Sequence, residues 1–110
     1  MKVVKLSHPN YEYDVHSLVK AFYAEDQVTV ITPETKPEKL AELEPQVSLE
    51  IELGDTGAKI RVGEEIFLWE AASKAIADGY KNGLKRFLYR TLSKVTGQKL
   101  PWETLPASVP

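Results

Sequence analysis

The strongest constraint on the fold of this chain is an alternation of apolar and polar residues on both sides of Gly54-Asp55-Thr56-Gly57. The apolar positions are Val47, Leu49, Ile51 and Leu53 before the turn and Ala58, Ile60 and Val62 after it. A period of two is typical of strands that bury one face. A four-residue loop predicts that Glu52 faces Lys59 and that Glu50 faces Arg61 on the outer surface. A slip of one residue would bury these charges, so the pattern determines the register of a hairpin.

The remaining patterns predict an α+β domain with the element order β-α-β-(short α)-β-β-(β)-α. The predicted strands are 2–7, 27–32, 47–53, 58–62 and 65–69, and the predicted helices are 11–24, 36–44 and 71–96. Asn10 is expected to cap the first helix, and Thr35-Lys36-Pro37-Glu38 fits a capping box for the second. An early start of the last helix is the alternative for 65–69. We expect two layers: a mostly antiparallel sheet with the two main helices on one face.

The last helix is predicted from its periodicity and from a stop signal at its end. Its apolar stripe consists of Ala72, Ile76, Tyr80, Leu84, Phe87, Leu88, Leu92 and Val95. Gly79 and Gly83 weaken the middle by about 1 kcal/mol each relative to alanine, which allows a break near Asn82. Gly97 is placed as a left-handed cap, and Pro101 confirms the stop. We therefore predict one domain over residues 1–97 and a C-terminal junction over residues 98–110.

Composition excludes several classes of site. The 110 residues include no cysteine, so disulfides, thiolate metal sites and iron–sulfur clusters are excluded. No apolar run has the roughly 20 residues that cross a bilayer, and the N-terminus does not fit a signal peptide. We expect a cytoplasmic protein with no membrane partner.

Charge is distributed unevenly. Residues 1–70 hold seven basic and fourteen acidic side chains, whereas residues 71–110 hold seven basic and two acidic ones. The predicted basic surface of the last helix consists of Lys81, Lys85, Arg86, Arg90 and Lys94. This surface could contact nucleic acid, dock on the acidic sheet of the same chain, or remain solvated.

No residue pattern predicts catalysis, a cofactor or a metal. Asp14, His16 and Ser17 are too close in sequence to align as a triad on a helix. His8 and His16 lack further ligands at metal-binding spacing. Glu50 and Glu52 are accounted for by their cross-strand partners, and Asp55-Thr56-Gly57 by turn chemistry. A small enzyme or ligand carrier would need a pocket lined by Tyr11, Tyr13, Trp69 or Tyr80.

The C-terminal third resembles a known family. Leu84-Lys85-Arg86-Phe87-Leu88-Tyr89-Arg90, Leu92-Ser93, Thr96-Gly97, Leu100-Pro101-Trp102 and Thr104-Leu105 are similar to one segment of the HemZ-type, oxygen-independent coproporphyrinogen dehydrogenases. That segment joins an N-terminal accessory domain to a radical-SAM barrel. His8-Pro9-Asn10-Tyr11-Glu12-Tyr13-Asp14-Val15 is similar to the opening of the same family.

The resemblance implies that the chain is the accessory domain alone. Glu103 stands where the family has glycine, Pro106-Ala107-Ser108-Val109-Pro110 replaces Thr-Gly-Ile-Arg-Pro, and the cysteine ligands of the cluster are absent. No catalytic role therefore transfers to this chain. The expected function is a non-catalytic accessory or docking domain in porphyrin biosynthesis. Its docking residues would be Leu100, Pro101 and Trp102, and its partner a radical-SAM module.

Overall fold

A computed structural model describes residues 1–24, 27–54, 57–70 and 80–100, with residues 80–82 described by their backbone alone. The strands are β1 (Lys2–Leu6), β2 (Val28–Ile31), β3 (Val47–Leu53), β4 (Gly57–Val62) and β5 (Glu65–Glu70). The α-helices are α1 (Glu12–Tyr23), α2 (Pro37–Leu43) and α3 (Tyr80–Thr96). Short 3-10 turns precede α1 at Pro9–Tyr11 and follow α2 at Glu44–Gln46. The α+β class predicted from the sequence is confirmed.

The hairpin of β3 and β4 has the predicted register. Leu53 pairs with Ala58, Ile51 with Ile60, and Leu49 with Val62. Leu49, Ile51 and Ile60 are at most 1% exposed, because the same register turns the charged residues of both strands to the opposite face. β5 continues the hairpin as an antiparallel strand, so the alternative of an early helix at 65–69 is wrong.

The sheet is mixed rather than mostly antiparallel, which corrects the prediction. The strand order is β2-β1-β3-β4-β5. β1 pairs in parallel with both β2 and β3, whereas β3–β4 and β4–β5 are antiparallel. The physical reason lies in the connections: α1 carries the chain back between β1 and β2, and α2 does so between β2 and β3. A strand–helix–strand crossover of this kind produces parallel neighbours.

A register shift near the start of β3 separates two apolar clusters. Val3 pairs with Val47 and Val4 with Leu49, so one step along β1 spans two steps along β3. Such an irregularity sends Val47 to the face opposite Leu49, although the sequence pattern placed them together. Val47 accordingly packs against the small cluster of Val3, Ile31 and Leu43.

The two main helices cover one face of the sheet, as predicted. Val15, Leu18, Val19 and Phe22 of α1 and Leu88 and Leu92 of α3 join the strands in the main core. The short helix α2 packs through Leu43 on the other face, over β1 and β2. The remainder of that second face, over β3, β4 and β5, carries exposed side chains; we call it the open face.

Two predicted caps differ in the structure. Asn10 does not cap α1; instead its backbone N–H donates to Nδ1 of His8 at 3.3 Å. Thr35 does not cap α2, because its hydroxyl accepts from the Thr32 backbone N–H at 2.9 Å. At the first site, a 3-10 turn over Pro9–Tyr11 precedes α1, and Tyr11 takes the N-cap position. At the second, the Thr35 hydroxyl serves the neighbouring turn, a use of short polar side chains that competes with capping.

Gly83 has a packing role in α3. An ideal Cβ at this position would lie 2.7 Å from Cζ2 and 2.8 Å from Cη2 of Trp69 on β5. The Trp69 ring also stacks on Phe87, with centroids 6.2 Å apart. The missing side chain therefore allows the indole to lie between β5 and α3. From Tyr80 to Thr96 the helix is continuous, so no break occurs at Asn82; Gly79 lies outside the described residues.

Candidate functional site: the end of the last helix

Helix α3 ends where the sequence predicts. Gly97 has φ +71°, a conformation that glycine adopts without a side-chain penalty, and its N–H donates to the Ser93 carbonyl at 3.0 Å. The Thr96 hydroxyl donates to the Leu92 carbonyl at 2.6 Å and accepts from the Gln98 N–H at 3.2 Å. These bonds close the last turn and change the direction of the chain.

The segment that follows is attached to the domain at Leu100. The Tyr89 hydroxyl donates a hydrogen bond to the Leu100 carbonyl, and the half-buried Leu100 side chain packs against the main core. Tyr89 is itself held edge-on against Phe22 of α1, with ring centroids 5.4 Å apart. Of the predicted docking residues, Leu100 therefore has a defined seat. Pro101 and Trp102 lie outside the described residues.

The predicted basic surface is described in part. Arg86, Arg90 and Lys94 are exposed and four residues apart, so they form one row along α3. Lys85 is half-buried beside that row, and the side chain of Lys81 lies outside the described part of the chain. The Lys94 ammonium lies 5.6 Å from the ring centre of Phe67 on β5, which places a cation over an aromatic face.

A cavity at the end of α3 brings together two cations of the helix and one from the segment after it. Its volume is about 430 Å³, and its lining includes Arg90, Lys94, Lys99 and the hydroxyl-bearing Ser93. Ser93 Oγ is buried without a hydrogen-bond partner. Sequence reasoning missed Lys99, because only the turn at Gly97 returns it to the helix. The end of the helix also favours these cations, because the free carbonyl groups of the last turn stabilise positive charge near them.

The charged side chains of β3 and β4 on the open face form ion pairs across the two strands. The Glu50–Arg61 pair and the Glu52–Lys59 pair, the latter at 3.0 Å, occur as predicted. A third pair joins Lys5 Nζ to Glu44 at 2.7 Å, and this hydrogen bond raises the pKa of Lys5 above its ordinary value. Each of these cations therefore lies beside a carboxylate that offsets its charge.

The structure also describes other side chains that the sequence analysis considered. His8 accepts the Asn10 N–H, and Asp14 is buried in α1. Within the described ranges, no three His, Cys, Asp or Glu side chains are grouped to hold a metal ion. Tyr13 is 58% exposed, and Trp69 lies against α3, so these two residues do not line one pocket.

None of the described helices combines the length and the apolar character that crossing a membrane requires. Comparison of the chain with protein-family models, with curated proteins and with solved structures finds no match.

Proposed function

We propose that this chain is a non-catalytic docking domain whose C-terminal junction, residues 98–110, seats a neighbouring protein module. The observation that supports the proposal is the seat of Leu100, held by the Tyr89 hydroxyl and by contact with the main core. Pro101 and Trp102 follow Leu100 directly in the sequence. Tryptophan is enriched among the residues that anchor protein interfaces.

The resemblance of residues 84–105 to a coproporphyrinogen dehydrogenase-like family supports a radical-SAM module as the partner. In that case the redox chemistry would belong to the partner, and this chain would contribute binding and orientation. A cysteine-free composition fits a reducing compartment, so we place the complex in the cytoplasm.

The proposal is tested by titrating the full chain against the separately expressed radical-SAM module from the same source. Saturable binding is expected, and Trp102→Ala should weaken it by about 30-fold, the effect of losing an anchor worth ~2 kcal/mol. Circular dichroism must show that this variant remains folded. Absence of binding, or binding that Trp102→Ala does not alter, would refute docking at the junction. Unfolding of the variant would show that Trp102 belongs to the core.

Tyr89→Phe tests whether the Leu100 seat matters for docking. This variant loses only the hydroxyl that holds the Leu100 carbonyl, and we expect binding weaker by several-fold, in line with about 1 kcal/mol for one hydrogen bond. Tyr13→Phe removes the same atom from an exposed tyrosine of α1 and is the matched control. Equal affinities of the two variants would contradict the role of the seat.

A second candidate function is binding of single-stranded nucleic acid at the end of α3. The observation in its favour is the common cavity lined by Arg90, Lys94 and Lys99. Binding of a fluorescent RNA oligonucleotide should weaken with salt, and Arg90→Gln with Lys94→Gln should reduce the slope of log K against log salt by about 1.4. The control is the double variant Lys36→Gln and Lys39→Gln, which changes two exposed lysines at α2. An unchanged slope would exclude this function.

A further inference from the structure

One edge of the sheet is apolar and exposed. β2 and β5 are the two edge strands among the described residues. Val28, Val30 and Ile31 of β2 are at most 9% exposed, because the helices cover them. On β5, by contrast, Ile66 is 57% and Leu68 is 72% exposed on the open face. Proteins usually protect an edge with charges, proline or a bulge, so two large apolar side chains at this edge require an explanation.

The backbone of β5 is arranged to accept a further strand. Gly63 has φ +60° at the first position of the two-residue turn between β4 and β5, and Val62 pairs with Glu65 directly beside that turn. In such a hairpin, the flanking pair exchanges both hydrogen bonds and the pattern then alternates along the strands. Ile66, Leu68 and Glu70 therefore direct their N–H and C=O groups away from β4.

The ends of this edge are acidic. Residues 64–70 contain Glu64, Glu65 and Glu70 and no basic side chain. Lys94 shares a cavity with Glu64 and Glu65, and the nearby Lys59 is held by Glu52, so within the described ranges Glu70 is the acidic group of this edge that has the least compensation.

These charges argue against a second copy as the occupant. A second β5 placed antiparallel, with its Leu68 opposite Ile66, would place its Glu64 opposite Glu70 at both ends. Like charges directly opposite each other destabilise a strand pair. A segment with lysine or arginine at those positions and apolar residues between them would match the edge throughout.

We propose that β5 binds an extended segment of a partner protein, which adds to the sheet as a sixth strand. The segment carries apolar side chains opposite Ile66 and Leu68 and a basic side chain opposite Glu70. Main-chain hydrogen bonds supply affinity, and the alternate side chains supply selectivity, as in strand addition to other sheet edges. This surface is distinct from the C-terminal junction, so the proposal does not depend on the docking function.

The test uses the full chain and a fluorescent peptide, Lys-Thr-Val-Thr-Val-Thr-Lys, whose symmetry serves either strand direction. A peptide with glutamate in place of both lysines should bind about tenfold more weakly, since two cross-strand charge pairs change from attractive to repulsive. N-methylation of alternate amides should abolish binding, because the edge hydrogen bonds are lost. Fluorescence anisotropy measures each affinity.

Two variants locate the binding on β5. Leu68→Thr keeps a strand-forming residue and should weaken binding, whereas Glu70→Lys should remove the preference for the lysine peptide, because one of the two cross-strand charge pairs then favours each peptide. Both positions are exposed, and circular dichroism verifies that the variants are folded. Absence of binding to either peptide, or equal affinity for both, would overturn the proposal. A wild-type dimer that dissociates on Leu68→Thr would also overturn it, by showing that a second copy occupies the edge.

Discussion

Replacement of Gly83 by alanine provides a sharp test of how α3 packs on β5. In the interior of a helix, glycine to alanine gains about 1 kcal/mol of stability. Here the new Cβ would lie within 2.8 Å of two ring atoms of Trp69, and the stack of that ring on Phe87 resists displacement. Overpacking of this kind costs about 1–3 kcal/mol. The net expectation for Gly83→Ala is a destabilisation of about 0–2 kcal/mol.

The control is the same substitution in a Trp69→Phe background. Phenylalanine keeps an aromatic ring next to Phe87 but lacks the two atoms that the alanine would meet. Gly83→Ala should then stabilise the protein by up to about 1 kcal/mol, so the sign of its effect reverses. Urea unfolding followed by circular dichroism at 222 nm measures all four proteins, and the cycle should yield a coupling energy of about 1–3 kcal/mol. Equal stabilisation by Gly83→Ala in both backgrounds would refute the contact between Gly83 and Trp69.

Three further predictions concern stability. Ile60→Ala should lower the free energy of unfolding by about 2–5 kcal/mol, because its side chain is fully buried. Ile66→Ala, at 57% exposure, should change it by less than about 0.5 kcal/mol. Urea unfolding of both variants compares the buried and the exposed face of the sheet. Gly97→Ala should lower the free energy of unfolding by about 1 kcal/mol in a thermal melt, because alanine is strained at φ +71°. An unchanged stability would contradict the left-handed cap. Burial raises the pKa of Tyr23 above the ordinary tyrosine value of 10.0, so the folded state holds this proton more tightly. The stability that this provides is present below about pH 10 and is lost as the pH rises through the higher pKa of the folded state, so Tyr23→Phe should flatten the decline of stability above about pH 10, measured by urea unfolding at a series of pH values.

Much of the local structure follows from the sequence because its causes are local. The register of β3 and β4 could be predicted, since a turn of known length brings Glu50 to Arg61 and Glu52 to Lys59. The end of α3 at Gly97 could be predicted as well, because a left-handed conformation favours glycine wherever it occurs. The predicted caps at Asn10 and Thr35 were wrong, because the Asn10 N–H bonds to His8 and the Thr35 hydroxyl accepts from Thr32 instead.

The candidate sites depend more on tertiary structure. Sequence spacing places Arg90 and Lys94 on one row of α3, but Lys99 joins them only after the chain turns at Gly97. Leu100 could be named from the resemblance, whereas its anchoring required Tyr89, eleven residues away, to point towards it. In the sequence, Ile66 and Leu68 are typical strand residues, and no pattern shows that they are exposed. Their exposure depends on which face the helices leave uncovered.

The sequence by itself therefore determined the elements, the hairpin register and the stop of the last helix, because periodicity and turn chemistry act over a few residues. Only the tertiary structure decided that β1 lies between β2 and β3, with parallel neighbours on both sides. Strand order is set by how the crossover helices cover the sheet. The apolar pattern of the sequence is compatible with several strand orders, because each of them would bury the same residues. The same packing left β5 at the edge, where its apolar side chains face solvent.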